Sequence, residues 1–552
     1  MKYIYFKNSN LYSPSVINSV QEKDLILIPP NNTTNINNYL KDFVNIYKMP
    51  SKVEQDRTFE LIHRKIQIWI ANNYPSFDQN AIKLCTFHLA QNYSMLYSST
   101  RSLVKNIANL YGNKEEYLLI CDYDLFDIPG DWHCPLISLI SAVEYFSESN
   151  INFKLIGCDE HFLEKLLSQI NYNYSPFKIL NSVNSVKSEI FFESIENSKL
   201  ISYHLSGRNN IYYDNLNSLN ILSKSNIISG NYLGSYNQFT TLFNPSTSLD
   251  VTWKNYSFCK YEFSKLLESL YFNTIGNIIL PCLFEAEIKY THIFERSKNL
   301  EELIIEEAVD LESLPLISAA SKSNKLISIS QHSTNALIKG LTPVLGKECI
   351  AKKIYANSHF TLNQYSKLID SKNIKLIHHF NNIEHKSING IKNTIIIIEN
   401  DIFRKFGYFE DLSILIAELS LFISLTTEKF NFIWRQRTNE FSPVYEFIRI
   451  LFPNLDIIFD HDSSLDELSE MASFSIGVGT NSSMSYQLIS KGVINFFISS
   501  KFSDWDYVPK VNNLHLDIGP LYSANSIINL ASISIKEFEH EVIRQQQFLS
   551  EL

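Results

Sequence analysis

The chain reads as an α/β protein: two halves in which buried strands alternate with helices, each implying a mostly parallel, doubly wound sheet, behind a helix-rich N-terminal segment. Three observations predict this. Fully apolar runs of strand length recur, TIIII at 394–398 being the plainest, and a strand covered on both faces reads as such a run. These runs end in polar or charged residues and give way to helical periodicity. Residues 475–498, SIGVGTNSSMSYQLISKGVINFFI, pass from strand through a Gly-Thr-Asn-Ser-Ser turn into a helix, a Lys-Gly turn and a second strand, which is a βαβ unit.

Bulk properties bound the answer. At 552 residues the chain exceeds one core and implies two to four domains. A hydrophobic content of 45% excludes general disorder. The net charge of −10 argues against a nucleic-acid partner, which would need a basic face. The 7 cysteines are scattered, odd in number and without a C-x-x-C pair, as expected of buried thiols in a reducing compartment rather than of a disulfide or zinc framework. The opening MKYIYFKNSN lacks an apolar signal core, and no run approaches the roughly 18 apolar residues of a membrane span. A cytoplasmic protein is expected, either fully soluble or peripheral to the inner face of a membrane.

Taken in order, residues 1–112 offer two short strand candidates (3–6 and 25–28), then helical spacing at 59–72 and 81–111. This segment is expected to be a helix-rich leader. Residues 113–385 are expected to form the first Rossmann-like domain, with strands at 117–121, 153–156, 200–205, 278–280, 303–305 and 326–329. A Ser/Asn-rich stretch between 211 and 256 lacks periodicity and reads as loop. The polar stretch 381–393 has the composition of a linker, so a second Rossmann-like domain is expected over 386–552. Its strands fall at 394–398, 430–434, 457–459, 474–478 and 493–498, and a long charged amphipathic helix closes it from 535.

In open parallel sheets ligands bind beyond the carboxyl ends of the strands, so the residues just after each strand are the candidate site. The turn Gly479, Thr480, Asn481, Ser482, Ser483 places hydroxyls and backbone N–H groups at a helix N-terminus, which suits an anionic phosphate. The same residues also read as an ordinary helix cap. Arg435 and Arg437 alternate on an extended segment and so point to one side, and their forked donors match phosphate or carboxylate oxygens. The plainer reading is a surface pair bridged to Asp456 or Glu440. Glu306 ends ELIIEEA and is a candidate general base, or a merely solvated carboxylate. His332, in ISISQHST, sits between a strand and a helix-like segment, where a neutral imidazole accepts a proton or donates to an oxygen, or simply caps. No metal-ligand spacing is evident. Walker, Gly-x-Ser-x-Gly and complete G-x-G-x-x-G patterns are absent, which lowers the kinase, hydrolase and dehydrogenase readings.

The order of these parts resembles a bacterial glycosyltransferase of the GT-B architecture, two Rossmann-like domains facing across a cleft. IGVGTNSSMSYQLISKGVINFFI resembles the family's phosphate-binding turn, helix and strand; FIWRQRTNE resembles the strand ending in a basic motif, here Arg-Gln-Arg in place of the frequent Lys-Pro-His-Pro. The segment from ELIIEEA to ISISQHST resembles the Gln-His-Gly region of capsule and lipopolysaccharide transferases, with Ser333 where glycine is usual. The Ser-Ser pair is also similar to that of sialyltransferase-like enzymes using CMP-activated nonulosonic acids or Kdo. The resemblance implies a nucleotide-sugar donor, a cell-surface glycan or glycolipid acceptor, no essential metal, Ser482 and Ser483 on the donor phosphate, Arg435 or Arg437 on phosphate or sugar carboxylate, and Glu306 or His332 as base. A CMP-activated acidic sugar is the favoured donor. UDP- or GDP-hexose, CDP-glycerol, and a non-catalytic glycan-binding protein of the same fold are the alternatives.

Overall fold

A computed structural model of the chain describes residues 2–6, 25–28, 52–112, 115–121, 135–157, 200–204, 225–229, 254–256, 268, 271–272, 280–296, 301–306, 311–330, 350–356, 359–366, 369–376, 390–399, 412–436, 443–478, 483–498 and 533–551. The fold is α/β, as the sequence predicts, and the strands among the described residues form three sheets. No helix among the described residues is long and apolar enough to cross a membrane.

The first sheet draws strands from both sides of residue 113. Strand β1 (Lys2–Phe6) pairs in parallel with β2 (Leu25–Ile28) and with β3 (Tyr117–Cys121), and β3 pairs with β4 (Phe153–Gly157). The order is β2-β1-β3-β4-β7, with β7 (Lys254–Tyr256) antiparallel at the edge. Residues 117–157 therefore share a sheet with the N-terminal strands rather than with the strands after residue 200. Local pattern cannot show this, because sheet membership is decided by long-range pairing.

The described residues between β2 and β3 include three helices, α1 (Lys52–Asn73), α2 (Gln79–Cys85) and α3 (Phe87–Tyr111), and α4 (Pro135–Glu148) follows β3. Ile62, Ile66 and Ile70 recur every four residues on α1 and are buried, the spacing of one helix face. Asp78 caps α2, its Oδ1 accepting from Asn80 N at 2.9 Å and Ala81 N at 3.0 Å.

That cap also ties the helical region to the second sheet's helices, α5 (Leu280–Arg296) and α6 (Leu314–Lys322). Asp78 N donates to Ser318 Oγ at 2.8 Å, and Ser321 Oγ donates to Asp78 Oδ2 at 2.9 Å. Ser318 Oγ in turn donates a hydrogen bond to Oε1 of the buried Glu287, which Lys322 pairs at 2.6 Å. Residue 280, read from sequence as the end of a strand, begins α5.

The second sheet contains β5 (Leu200–His204), β6 (Ser225–Ser229), β8 (Glu302–Glu306), β9 (Leu326–Ser330), β10 (Lys353–Ala356) and β11 (Ile374–Leu376), all parallel, in the order β11-β10-β9-β8-β5-β6. β6 and β7 lie in the stretch read as loop; with few apolar residues, neither shows an alternating pattern. Leu303, Ile305, Ile327, Ile329 and Ile354 join the main core with α5, α6 and α7 (His359–Tyr365). The opposite face carries Ile304, Ser328, Ser330 and Tyr355, and it too is buried.

The third sheet has the order β14-β13-β12-β15-β16, from β12 (Thr394–Glu399), β13 (Asn431–Arg435), β14 (Ile457–Asp460), β15 (Phe474–Val478) and β16 (Ile494–Ile498), all parallel. It is doubly wound. Ile395 and Ile397 face one core with α8 (Leu412–Thr426) and α9 (Pro443–Leu451), while Ile396 and Ile398 face another with Leu468 of α10 (Leu465–Met471) and Leu488 of α11 (Ser483–Ser490). A capping box at Ser464 and Glu467 starts α10.

The last helix, α12 (Ile535–Glu551), lies against β16 and α11. The amide of Gln545 takes the place of a strand partner: its Oε1 accepts from Asn495 N at 2.9 Å and its Nε2 donates to Asn495 O at 3.2 Å. Gln546 Nε2 donates to the carbonyls of Ile489 and Ser490 at the end of α11.

Candidate functional site

In the third sheet the chain moves outward from β12 to β13 and β14, then returns to place β15 and β16 on the other side. The order thus reverses between β12 and β15, and in open parallel sheets the carboxyl ends at such a reversal are where ligands bind. The described groups at that edge are Glu399, Trp434, Arg435, Gln436 and Asp460.

They fall on two faces. Trp434 and Glu399 belong to the α8–α9 side, where the fully buried indole needs an acceptor and the 5%-exposed carboxylate needs a donor. Trp434 Nε1 donates to Glu399 Oε2 at 2.8 Å. Arg435 and Asp460 are paired in register on the α10–α11 side, and Arg435 Nη1 meets Asp460 Oδ2 at 2.6 Å. Asp460 Oδ1 accepts from Ser463 N at 3.2 Å and Ser463 Oγ at 2.6 Å. Burial pushes the Asp460 carboxyl up, but the bonds from Ser463 and Arg435 outweigh it and hold the group below its usual value.

Two polar atoms here are left over. Arg435 Nε and Gln436 Oε1 are buried without a partner, and Gln436 is only 3% exposed. Buried polar groups are nearly always paired, so each of these atoms is an exception at the edge of the sheet.

Of the residues expected from sequence, Arg435 stands at this edge. Its carboxylate partner is Asp460, a correction to the expected Asp456 or Glu440: the register of β13 against β14 selects it, and register is invisible in a single sequence. Arg437, Gly479, Thr480, Asn481 and Ser482 lie outside the described residues, as does His332. Ser483 is the first residue of α11. Arg435, Ile398 and Gly477 occupy one row across β13, β12 and β15, so two strand spacings, about 10 Å, separate Arg435 from the end of the strand that feeds α11. Glu306 is elsewhere, as the last residue of β8 in the second sheet, paired with Ser330.

Sequence reasoning passed over Glu399 and Asp460 as site residues. A carboxylate closing the otherwise apolar TIIIIE was the available sign for Glu399. Among the described residues no group of three or more His, Cys, Asp or Glu is placed to hold a metal ion.

No protein-family profile matches the chain, and no curated protein matches it by sequence. Solved structures do resemble it in outline. MurG of Acinetobacter baumannii is 11% identical over 63% of this chain and 95% of its own, with a TM-score of 0.36. HepE of Anabaena, solved with UDP and glucose, is 11% identical over 64% and 95%, with a TM-score of 0.38. TarM of S. aureus, solved with UDP, is 12% identical over 49% of this chain and 56% of its own, with a TM-score of 0.35. This chain is similar to these proteins at that level.

Proposed function

We propose that the chain is a GT-B-type transferase that binds a nucleotide-activated sugar at the carboxyl edge of the third sheet and passes the sugar to a cell-surface glycan or glycolipid acceptor. The observation that carries this reading is the strand-order reversal between β12 and β15, with Arg435, its Nε buried and unpartnered, in one row with Ile398 and with Gly477 of the strand leading to α11. In this reading Gly479, Thr480, Asn481, Ser482 and Ser483 hold the donor phosphate, the N-terminus of α11 adds its partial positive charge, and no metal is required. Arg435 or Arg437 faces phosphate, and Glu306 or His332 supplies the base.

The pairing of Arg435 bears on the donor. An acidic sugar such as a CMP-activated nonulosonic acid needs a cation for its own carboxylate, whereas Arg435 already has one in Asp460 at 2.6 Å. That favours a neutral sugar carried on UDP or GDP over the CMP-activated acid. Calorimetry with UDP, GDP, CMP and CDP tests the reading. At least one nucleotide is expected to bind, and Arg435→Ala should weaken it tenfold or more. A wild-type protein that binds none of the four is not a nucleotide-sugar transferase.

A further inference from the structure

Two acceptors stand side by side on the face of the third sheet that Arg435 does not use. Strands β12 and β13 pair in step as far as Ile398↔Arg435, so Glu399 and Gln436 are the next positions of the same ladder. Gln436 N donates to Asp460 O at 3.1 Å, which keeps this residue in the sheet and puts its side chain on the same side as that of Trp434, two positions earlier. Glu399 lies on that side too, as its bond from Trp434 Nε1 shows. The pair therefore stands at the carboxyl ends of neighbouring strands, one of them β12, where the strand order reverses.

Both groups are withdrawn from water, Glu399 at 5% exposure and Gln436 at 3%. A carboxylate accepts up to about four hydrogen bonds, and the indole supplies one of those to Glu399. Gln436 Oε1 accepts none. An amide oxygen desolvated without a donor lowers stability, and a methionine of the same length would carry no such cost. Position says which donors could serve. Glu399 also pairs with Val478, the residue before Gly479, so one strand spacing, about 5 Å, separates it from the strand that enters the proposed phosphate turn, and Gln436 is one spacing further. In a nucleotide sugar the groups on either side of the phosphates are the ribose and the hexose, and each carries vicinal hydroxyls.

We propose that Glu399 and Gln436 together bind a vicinal diol of the nucleotide sugar, the carboxylate accepting one O–H and the amide oxygen the other. This rests on the transferase reading above. Two neighbouring acceptors match two neighbouring O–H donors, whereas a phosphate brings acceptors only and is repelled by a carboxylate. The two faces of the sheet edge thus take different parts of one ligand: phosphate on the side of Arg435 and α11, sugar hydroxyls on the side of α8 and α9. Ribose and hexose share the diol chemistry, and deoxy analogues tell them apart.

Trp434 reports occupancy, because its indole N–H is bound to the same carboxylate. Its indole resonance is followed by NMR while UDP, GDP, UDP-glucose, GDP-mannose, ribose or glucose is titrated into the full chain, and a saturable shift is expected. Ribose and glucose carry no phosphate, so they probe the diol site even where no nucleotide binds. No shift of Trp434 with any of the six overturns the proposal. A shift with the free sugars while UDP and GDP fail to bind overturns only the donor reading. Calorimetry then names the source of the diol. If it is the ribose, the 2′-deoxy or 3′-deoxy form of the nucleotide that binds should bind about threefold to tenfold more weakly than its parent; if it is the hexose, the nucleotide sugar should bind tighter than the nucleotide by the same factor. Gln436→Met should remove whichever difference is found and raise the melting temperature of the unliganded protein, since an unpaired buried oxygen gives way to an apolar side chain of the same length. Equal binding of parent, deoxy form and nucleotide sugar by the wild type, or a difference that survives in Gln436→Met, overturns the proposal and leaves the transferase reading standing. The wild-type measurements need no variant and decide the matter should Gln436→Met fail to fold.

Discussion

The second and third sheets share all-parallel strands and a reversal of strand order, yet they are filled differently. In the third sheet the central strand β12 is apolar on both faces, Ile395 and Ile397 entering one core and Ile396 and Ile398 another, and the buried polar pair beside it closes on itself, Ser475 Oγ donating to Asn495 Oδ1 at 2.8 Å. In the second sheet one face is apolar and the other holds Glu302, Ser328, Ser330, Lys353 and Tyr355. The alternating LISIS of β9 has the pattern of a half-solvated strand. Ser328 and Ser330 are nevertheless 0% and 2% exposed. Alternation in a parallel strand therefore reports a buried polar face here, and such a face must be paired internally or kept for a ligand.

The contrast predicts unequal costs for equivalent truncations. Ile396→Ala in the third sheet should lose about 2–5 kcal/mol in denaturant melts, since it removes buried methylenes from a closed face. Ser328→Ala, at a facing position of the second sheet, should lose about 1 kcal/mol, because Lys353 and Tyr355 still serve Glu302. Equal losses would erase the distinction.

Next in size, Glu302→Ala should cost about 1–3 kcal/mol by stranding Ser328, Lys353 and the Tyr355 hydroxyl together, and adding Lys353→Met should recover part of it. If the single change is neutral, the polar face is not internally paired. The smallest effect concerns Asp460. Its folded value is depressed, so the stability it adds is present above the unfolded carboxyl value of about 4 and is lost as pH falls through the lower folded value. Asp460→Asn should melt lower than the wild type at neutral pH and show a flatter acid limb; parallel acid limbs would mean that the pair with Arg435 contributes nothing.

Much of the third sheet was legible because each of its strands carries an apolar run. TIIII was expected at 394–398 and the strand is Thr394–Glu399, and the strand at 474–478 and the helix from about 484 fall where expected. The first two sheets were less so. Nothing in MKYIYF tells that residues 2–6 pair with Tyr117–Cys121 more than a hundred positions later, since loop closure leaves no local trace. The site divides in the same way. Arg435 was visible as a basic strand end, but Asp460 as its partner depends on register. Side-chain chemistry can be read along a chain; adjacency across a sheet cannot.

The pairing of Gln545 with Asn495 has a consequence for colloidal behaviour. β16 is the last strand in its sheet, and an unpaired strand edge is a template on which another chain can add. By giving Asn495 both a donor and an acceptor from a helix, Gln545 occupies that template without supplying a strand that could be extended further. Replacing it by a side chain with no amide should leave the fold in place and convert a monodisperse preparation into one that self-associates through β16. Light scattering during storage would register that change before any loss of secondary structure.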